Sequence, residues 1–288
     1  MVGWLCRGTL HLVPREDYPW LLGLTASLQT ARSRRRLGQE RVSADDAERA
    51  VAIIDRALAA DGPLGRPELA DRIAARGIRI EGQATPLLLN LATVRGVAVL
   101  GPVRDGRQLF APADDWLGAS PPGELTGEER DAALAELARR YLAGHGPATA
   151  ADLAAWVGLP VRDARAGLRA IAGELVELGG GELVELATGG RTPGRLPARL
   201  LPAFDPYLLG WRDRSFAVPA RHARRVHPGG GILRAVATVD GVAVGTWSAR
   251  RRGGRAGVQI EPFTALAPGA ARALRAEAGD VGRFESCS

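Results

Sequence analysis

Arginine supplies the chemistry in this sequence: all 38 basic residues are arginine, and lysine does not occur. Arg162, Arg165 and Arg169 stand at i, i+3 and i+7, which puts three guanidinium groups on one helical face, where they can meet phosphates or enter a groove. A second set, Arg250, Arg251, Arg252 and Arg255, brackets Gly253 and Gly254 in a turn. A third, Arg212, Arg214, Arg221, Arg224 and Arg225, follows an apolar segment. Clusters of this kind fit a polyanion, although charge runs are also ordinary solvated turns. Asp163 and the acids Glu174, Glu177, Glu182 and Glu185 count against the first set. His222 and His227 are spaced H-x4-H with no cysteine nearby, too few ligands for zinc, so no metal is expected. Asp205 and Asp213 flank arginines and read as salt-bridge partners. No Gly-rich phosphate loop follows a strand and no Gly-x-Ser-x-Gly occurs. Spacing alone gives no catalytic constellation and no cofactor.

Charge distribution sharpens the arginine signal. The total is +6, and with Ala, Gly, Leu and Pro also abundant, part of the arginine excess reflects coding in a GC-rich genome. By segment, residues 1–43 carry seven arginines against three acids, 44–125 nine against twelve, 126–187 six against ten, and 188–288 sixteen against seven. An anionic partner is therefore drawn to the two ends of the chain and not to its acidic middle. At 288 residues, 46% hydrophobic and 24% charged, the composition is that of a globular chain with two or three domains, which excludes disordered and collagenous classes. No apolar run is long enough to span a membrane, and the N-terminus has no signal pattern. Cys6 and Cys287 sit at opposite ends. These features predict a reduced, cytoplasmic protein.

An internal repeat organises the middle. Arg56-Ala-Leu-Ala-Ala-Asp-Gly-Pro63, then Glu68-Leu-Ala70, recurs 84 residues later as Arg140-Tyr-Leu-Ala-Gly-His-Gly-Pro147, then Asp152-Leu-Ala154. In each copy a helix with helical apolar spacing stops at Gly-Pro, because the residue before proline is disfavoured in the helical region. A second helix follows, Arg66 to Arg76 or Thr149 to Val157, the latter with Thr149 as N-cap. A third follows, Gln83 to Val94 or Arg162 to Ala172. Each copy ends in two short strands across a Gly-bearing loop. Three helices and a hairpin predict a winged helix. The first copy offers only Arg95 near the end of its third helix and Glu81 near its start, and reads as a scaffold.

Beyond residue 190 the pattern changes. Ile232 to Val239, Val242 to Ala249 and Gly257 to Phe263 read as strands, with Asp240-Gly241 as a hairpin turn. A helix is expected over Ala270 to Ala278. The expected fold class is α+β: tandem winged helices followed by a C-terminal β-barrel-like domain. The segments are 1–43, 44–125, 126–190 and 191–288.

Trp4-Leu-Cys-Arg-Gly-Thr-Leu-His-Leu-Val13 with Asp17-Tyr-Pro-Trp-Leu-Leu22, then Tyr141-Leu142, Gly146-Pro-Ala-Thr149 and Asp152-Leu-Ala-Ala-Trp156, and finally Leu201-Pro-Ala-Phe-Asp-Pro-Tyr-Leu-Leu-Gly-Trp-Arg-Asp-Arg214, resemble the bacterial AlkZ-like winged-helix DNA glycosylases. The resemblance runs from about residue 3 to residue 284. It implies tandem winged helices and a β-barrel around a concave DNA channel. It also implies excision of N-alkylated purines and unhooking of cross-links, with double-stranded DNA, alkylated or cross-linked, as partner. A purine alkylated at N7 is cationic and leaves readily, so the enzyme need only position a water and stabilise an oxocarbenium-like sugar. Base flipping, common among glycosylases, is not implied for bulky cross-links. On this likeness Arg7 and His11 line the channel; the competing reading is a strand histidine beside a surface arginine.

The resemblance assigns water positioning to a Gln-x-Gln or Gln-x-Asp pair in the first winged helix. None of Gln29, Gln39, Gln83, Gln108 and Gln259 has Gln or Asp two positions away in that context. Residues 1–43 thus read as the wing and helix of a first winged helix, with no catalytic residue assigned. The expectation is that apolar residues such as Trp4, Leu10, Leu12, Trp20 and Leu21 lack the helices they would cover. Three readings stand: a DNA-binding repair protein of the glycosylase family without the chemistry, a non-enzymatic winged-helix DNA-binding protein or transcriptional regulator, and a protein-interaction module.

Overall fold

Arg7 and Gly8 both have positive φ, +55° and +74°, the geometry of a two-residue type I′ turn. They turn strand β1 (Val2–Cys6) back into β2 (Thr9–Leu12), with Gly3 opposite His11. In the computed structural model, which describes residues 2–118, 123–188, 194–252 and 255–286, two compact units form. One is Met1–Tyr141 with Ala154–Gly173, the other Leu142–Leu153 with Glu174–Ser288.

The first unit continues with α1 (Tyr18–Gln39), which carries proline in its first turn, where the missing N–H costs nothing. Ser43 caps α2 (Ala44–Asp61) by accepting the Asp46 N–H at 3.0 Å. Next come β3 (Leu64–Gly65), α3 (Arg66–Ala74), α4 (Ala84–Val94), β4 (Ala98–Arg104), β5 (Arg107–Pro112) and α5 (Ala113–Leu117). The strands form one sheet in the order β2-β1-β4-β5-β3, in which Val2 pairs with Leu100 and Leu64 with Phe110. Ile54, Leu58, Leu69, Ile73, Leu88 and Leu91 form its core with Phe110. Leu21 is buried, and Trp20 donates to Asp17 Oδ1 at 3.1 Å under the Arg140 guanidinium. These two are covered, contrary to expectation, because α1 turns them toward its own unit. Leu10 and Leu12 are 50% and 80% exposed.

Helix α6 (Gly127–His145) is followed by α7 (Ala150–Val157) and α8 (Val161–Ala170), whose residues 154–170 return to the first unit. Gly167 lets α8 lie against α6: a Cβ there would stand 2.4 Å from the Leu134 carbonyl oxygen. Arg130 to Asp163, 2.9 Å, ties the same two helices.

In the second unit β6 (Leu175–Leu178) and β7 (Leu183–Leu186) form a hairpin, bridged to Ala148 through Val184. Then come β8 (Arg199–Leu201), α9 (Pro206–Leu209), α10 (Ala223–Val226), β9 (Val236–Val239), β10 (Val242–Arg252), β11 (Arg255–Pro262) and α11 (Pro268–Ser286). Asp240 and Gly241 both have positive φ and join β9 to β10. The expected barrel does not close. The sheet is open, in the order β11-β10-β9-β8. Four strands are fewer than the roughly five of a small barrel, and α11 packs on both edge strands, β8 and β11, with Leu274 against Leu200 and Ala237. Residues 232–235 are not a strand, and α11 is longer than expected, starting at Pro268 and running well beyond Ala278 to Ser286.

Among the described residues no helix is long and apolar enough to cross a membrane, and no three His, Cys, Asp or Glu side chains gather as a metal site.

Candidate nucleic-acid interface

The arginines separate into those held by the protein and those left to solvent. Ala164 and Gly167 are the buried face of α8, so Arg162, Arg165 and Arg169 fall on its exposed face. Among the described residues Arg162 approaches only Asp163, at 3.6 Å. By contrast Arg34 and Arg95 both bind Glu48 and hold its carboxyl below the usual value. Arg140 reaches Asp17 at 2.5 Å and Glu136 at 2.7 Å.

Arg7 is the most constrained of the sequence-predicted residues. Its αL backbone is uncommon for a side chain of this size. Its N–H donates to Val157 O at 3.3 Å, its carbonyl accepts from Arg32 Nη1 at 3.0 Å, and Gly158, at φ +84°, gives it room. Its guanidinium is half-buried, and desolvation lowers its pKa. His11, on β2, lies with Nδ1 2.9 Å from Thr9 O. A carbonyl can only accept, so Nδ1 carries the hydrogen in that bond. Burial pushes the His11 pKa below 6.5, so the neutral ring is an acceptor at Nε2 and a poor phosphate ligand near neutral pH.

In the second unit Thr149 and Asp152 form a reciprocal cap on α7: Thr149 N and Oγ1 donate to Asp152 Oδ2 at 2.9 and 2.6 Å, and Asp152 N donates to Thr149 Oγ1 at 3.2 Å. The other carboxylate oxygen accepts the Arg212 N–H at 2.8 Å, leaving that side chain exposed. Trp211 donates to Pro147 O at 3.2 Å and packs edge-on to His145, Tyr207 and Phe216. Arg214 is half-buried, with Nε donating to Leu208 O, and burial lowers its pKa. Asp205 caps α9 through the Tyr207 N–H at 2.8 Å, and Asp213 accepts from Ser215 N and Oγ. Both acids hold turns. His222 stacks on Phe263, centroids 4.4 Å apart, and Arg225 lies 4.6 Å over the same ring.

Arg250 is exposed on β10, paired with Gly257. The side chains of Arg251, Arg252 and Arg255, with Gly253 and Gly254, lie outside the described residues.

One feature escaped the sequence reading. A cavity of about 150 Å³ is lined by Arg7, Thr25, Leu28, Gln29 and Arg32 among others. A second, about 310 Å³, shares Arg7, Gln29 and Arg32 and adds Trp4, Arg36 and Asn90. The signal was present in the sequence: Gln29, Arg32, Ser33 and Arg36 stand at i, i+3, i+4 and i+7 of α1.

Residues 1–284 match the family model described as DNA glycosylase AlkZ-like. The chain is 30% identical over 271 residues, 86% of its length and 70% of the relative's, to an interstrand DNA cross-link repair glycosylase of Streptomyces sahachiroi. Among solved structures it is similar to the DNA glycosylase AlkZ of Streptomyces sahachiroi, with a TM-score of 0.75, 26% identity, and coverage of 99% of this chain and 79% of that one.

Proposed function

We propose that this chain, which belongs to the AlkZ-like DNA glycosylase family, serves in DNA repair by holding double-stranded DNA that carries alkylated or cross-linked purines, the interstrand cross-link being the damage named for its Streptomyces relative. The observation that carries the reading is the solvent-facing row of Arg162, Arg165 and Arg169, which neutralises little of its own charge within the protein. The exposed Arg212 and Arg250, with Arg251, Arg252 and Arg255, are its counterpart in the C-terminal segment.

In this reading the helix–helix–helix–hairpin runs over 44–125 and 126–190 act as tandem winged helices, and residues 191–288 as a basic sheet domain. The protein works in the cytoplasm, at the nucleoid. Arg7 supports the site from a fixed turn. Base release by these 288 residues alone is not expected, since the glutamine pair to which the family resemblance assigns water positioning is not among them.

Duplex binding as a function of salt tests the proposal. Counterion release makes log affinity fall linearly with log salt, by about 0.9 for each phosphate contact. A slope near zero would remove DNA as the partner. Release of N7-alkylated purine from the same duplex, measured in parallel, separates binding from excision.

A further inference from the structure

We propose that the cavity between the β1–β2 turn and α1 is a site for one neutral nucleobase, with Gln29 Oε1 as its acceptor and Arg7 Nη1 as its donor. This deepens the reading of the chain as a DNA-repair protein and rests on it.

Gln29 is 7% exposed, and its amide is fixed by its neighbours. Nε2 faces the carbonyl oxygens of Trp4 at 2.9 Å and Leu5 at 2.8 Å, and Thr25 Oγ1 at 3.1 Å. Carbonyls accept only, so the nitrogen must face them and the oxygen must face away. Among the described residues that oxygen meets no donor, and Arg7 Nη1, also buried, meets no acceptor. Buried polar groups left in this condition are rare in folded proteins. Here the two residues that carry the unmet acceptor and the unmet donor, Gln29 and Arg7, both line one cavity of about 150 Å³. A cavity of about that volume holds a benzene ring, whereas a water takes about 30 Å³.

The complement of an acceptor beside a donor is an N–H beside a lone pair, which every nucleobase presents on its pairing edge. Inorganic phosphate would set its charge against the Gln29 oxygen. The adjoining cavity supplies what a nucleotide needs beyond its base. It adds the indole of Trp4 and the guanidinium of Arg36 to that of Arg32, and neither cavity is lined by a carboxylate. Three cations without an anion also select charge. An N7-alkylated purine still attached to its sugar is cationic and is disfavoured here, so the base accepted is a neutral one: an unmodified neighbour or partner of the lesion, or the base once released.

The test is isothermal titration calorimetry of the whole chain with deoxyguanosine 5′-monophosphate, its N7-methylated form, deoxyribose 5-phosphate and inorganic phosphate. We expect the unmodified nucleotide to bind about ten-fold more tightly than the sugar phosphate, the ratio that one charge-assisted hydrogen bond supplies. The N7-methylated nucleotide should bind more weakly than its parent. Arg7→Asn, whose side chain tolerates positive φ, and Gln29→Met should each abolish the ten-fold preference. Gln29 also ties β1 to α1, so Arg7→Asn and the surface variant Arg32→Ala carry the test if Gln29→Met does not fold; Arg32→Ala should weaken both phosphate-bearing ligands alike. Equal affinity for nucleotide and sugar phosphate, tighter binding of the methylated form, a preference untouched by Arg7→Asn, or no nucleotide binding at all each overturns the proposal. Duplex binding measured separately distinguishes the two readings: its loss refutes the DNA role, whereas intact duplex binding without nucleotide binding refutes the base site alone.

Discussion

Asp152 Oδ1 accepts the backbone N–H of Arg212 at 2.8 Å while Oδ2 caps the first turn of α7. One carboxylate thus joins two segments sixty residues apart, each of them part of the family resemblance. The cap at the start of α7 and the aromatic run ending at Trp211 fold against each other, since Trp211 also donates to Pro147 O. Asp152→Ala removes a cap, worth about 1 kcal/mol, and strands a backbone donor, at about 1–3 kcal/mol. The expected loss is about 2–4 kcal/mol in denaturant unfolding. Asp152→Asn, which keeps an acceptor oxygen, should lose less; equal losses would show that charge and not hydrogen-bond geometry holds the joint.

Gly167→Ala places a methyl group 2.4 Å from the Leu134 carbonyl oxygen, which is backbone and cannot swing aside. Helix α8 must move away from α6. We expect a destabilisation of about 1–3 kcal/mol, the usual range for overpacking, seen as a lower denaturant midpoint. Gly144→Ala, in α6 with open space around the added carbon, should leave that midpoint unchanged or raise it.

Replacing Arg162, Arg165 and Arg169 together by Ala removes three exposed charges and, among the described residues, no ion pair except the approach to Asp163. Unfolding should be unaffected, because alanine is the better helix former. If all three meet phosphates, the salt slope of duplex binding falls by about 2.7, at about 0.9 each. The corresponding change at Arg250, Arg251, Arg252 and Arg255 should be the larger, and an unaltered slope would make that loop a solvated turn.

Burial lowers the pKa values of His11 and His227 below 6.5. As pH falls through 6.5 the unfolded chain takes up protons that these folded-state rings refuse, so stability falls until their folded pKa values are reached. Urea unfolding between pH 7.5 and pH 5.5 should show this decline. His11→Gln with His227→Gln should flatten it. Glu48 and Glu136, held below 4.5 by their arginines, lose their contribution only in a separate window below that value.

Cys6 is 4% exposed and burial raises its thiol pKa to about 11. The thiolate is the reacting species, so in a Cys287→Ser background the folded protein should resist maleimide at pH 8 and react fully in denaturant. Rapid labelling of the folded state would mean that the β1–α1 contact opens readily.

Local elements were legible where the period and the stops coincided. Helices α2 and α3 follow the spacing of Val51, Ile54 and Leu58 and the Gly62-Pro63 break, and the Asp240-Gly241 turn appears where its sequence places it. Long-range closure was not legible. Nothing in the alternation of Val236–Val239 or Val258–Ile260 states whether a sheet ends or closes, since that depends on α11 covering both edges. The arginine face of α8 could be read from its spacing alone. The Gln29 cavity was missed because its walls come from a turn, a helix and the loop at Gly158, and the burial of an amide cannot be read from one residue's neighbours in sequence.

Val2 pairs with Leu100 in the middle of the five-stranded sheet, and that single register has a kinetic consequence. Strands β4 and β5 meet across a two-residue turn, and α2 to α4 lie close to them in sequence, whereas seating β1 must close a loop of nearly a hundred residues. Contacts of such separation form late, after local structure has offset the entropy of closure. Substitutions in β1 are therefore expected to accelerate unfolding and to leave the folding rate nearly untouched, while substitutions at Leu88 or Phe110 slow folding. The arginine turn at the tip of the β1–β2 hairpin, and the cavity beneath it, would be among the last parts of the first unit to assemble and the first to open.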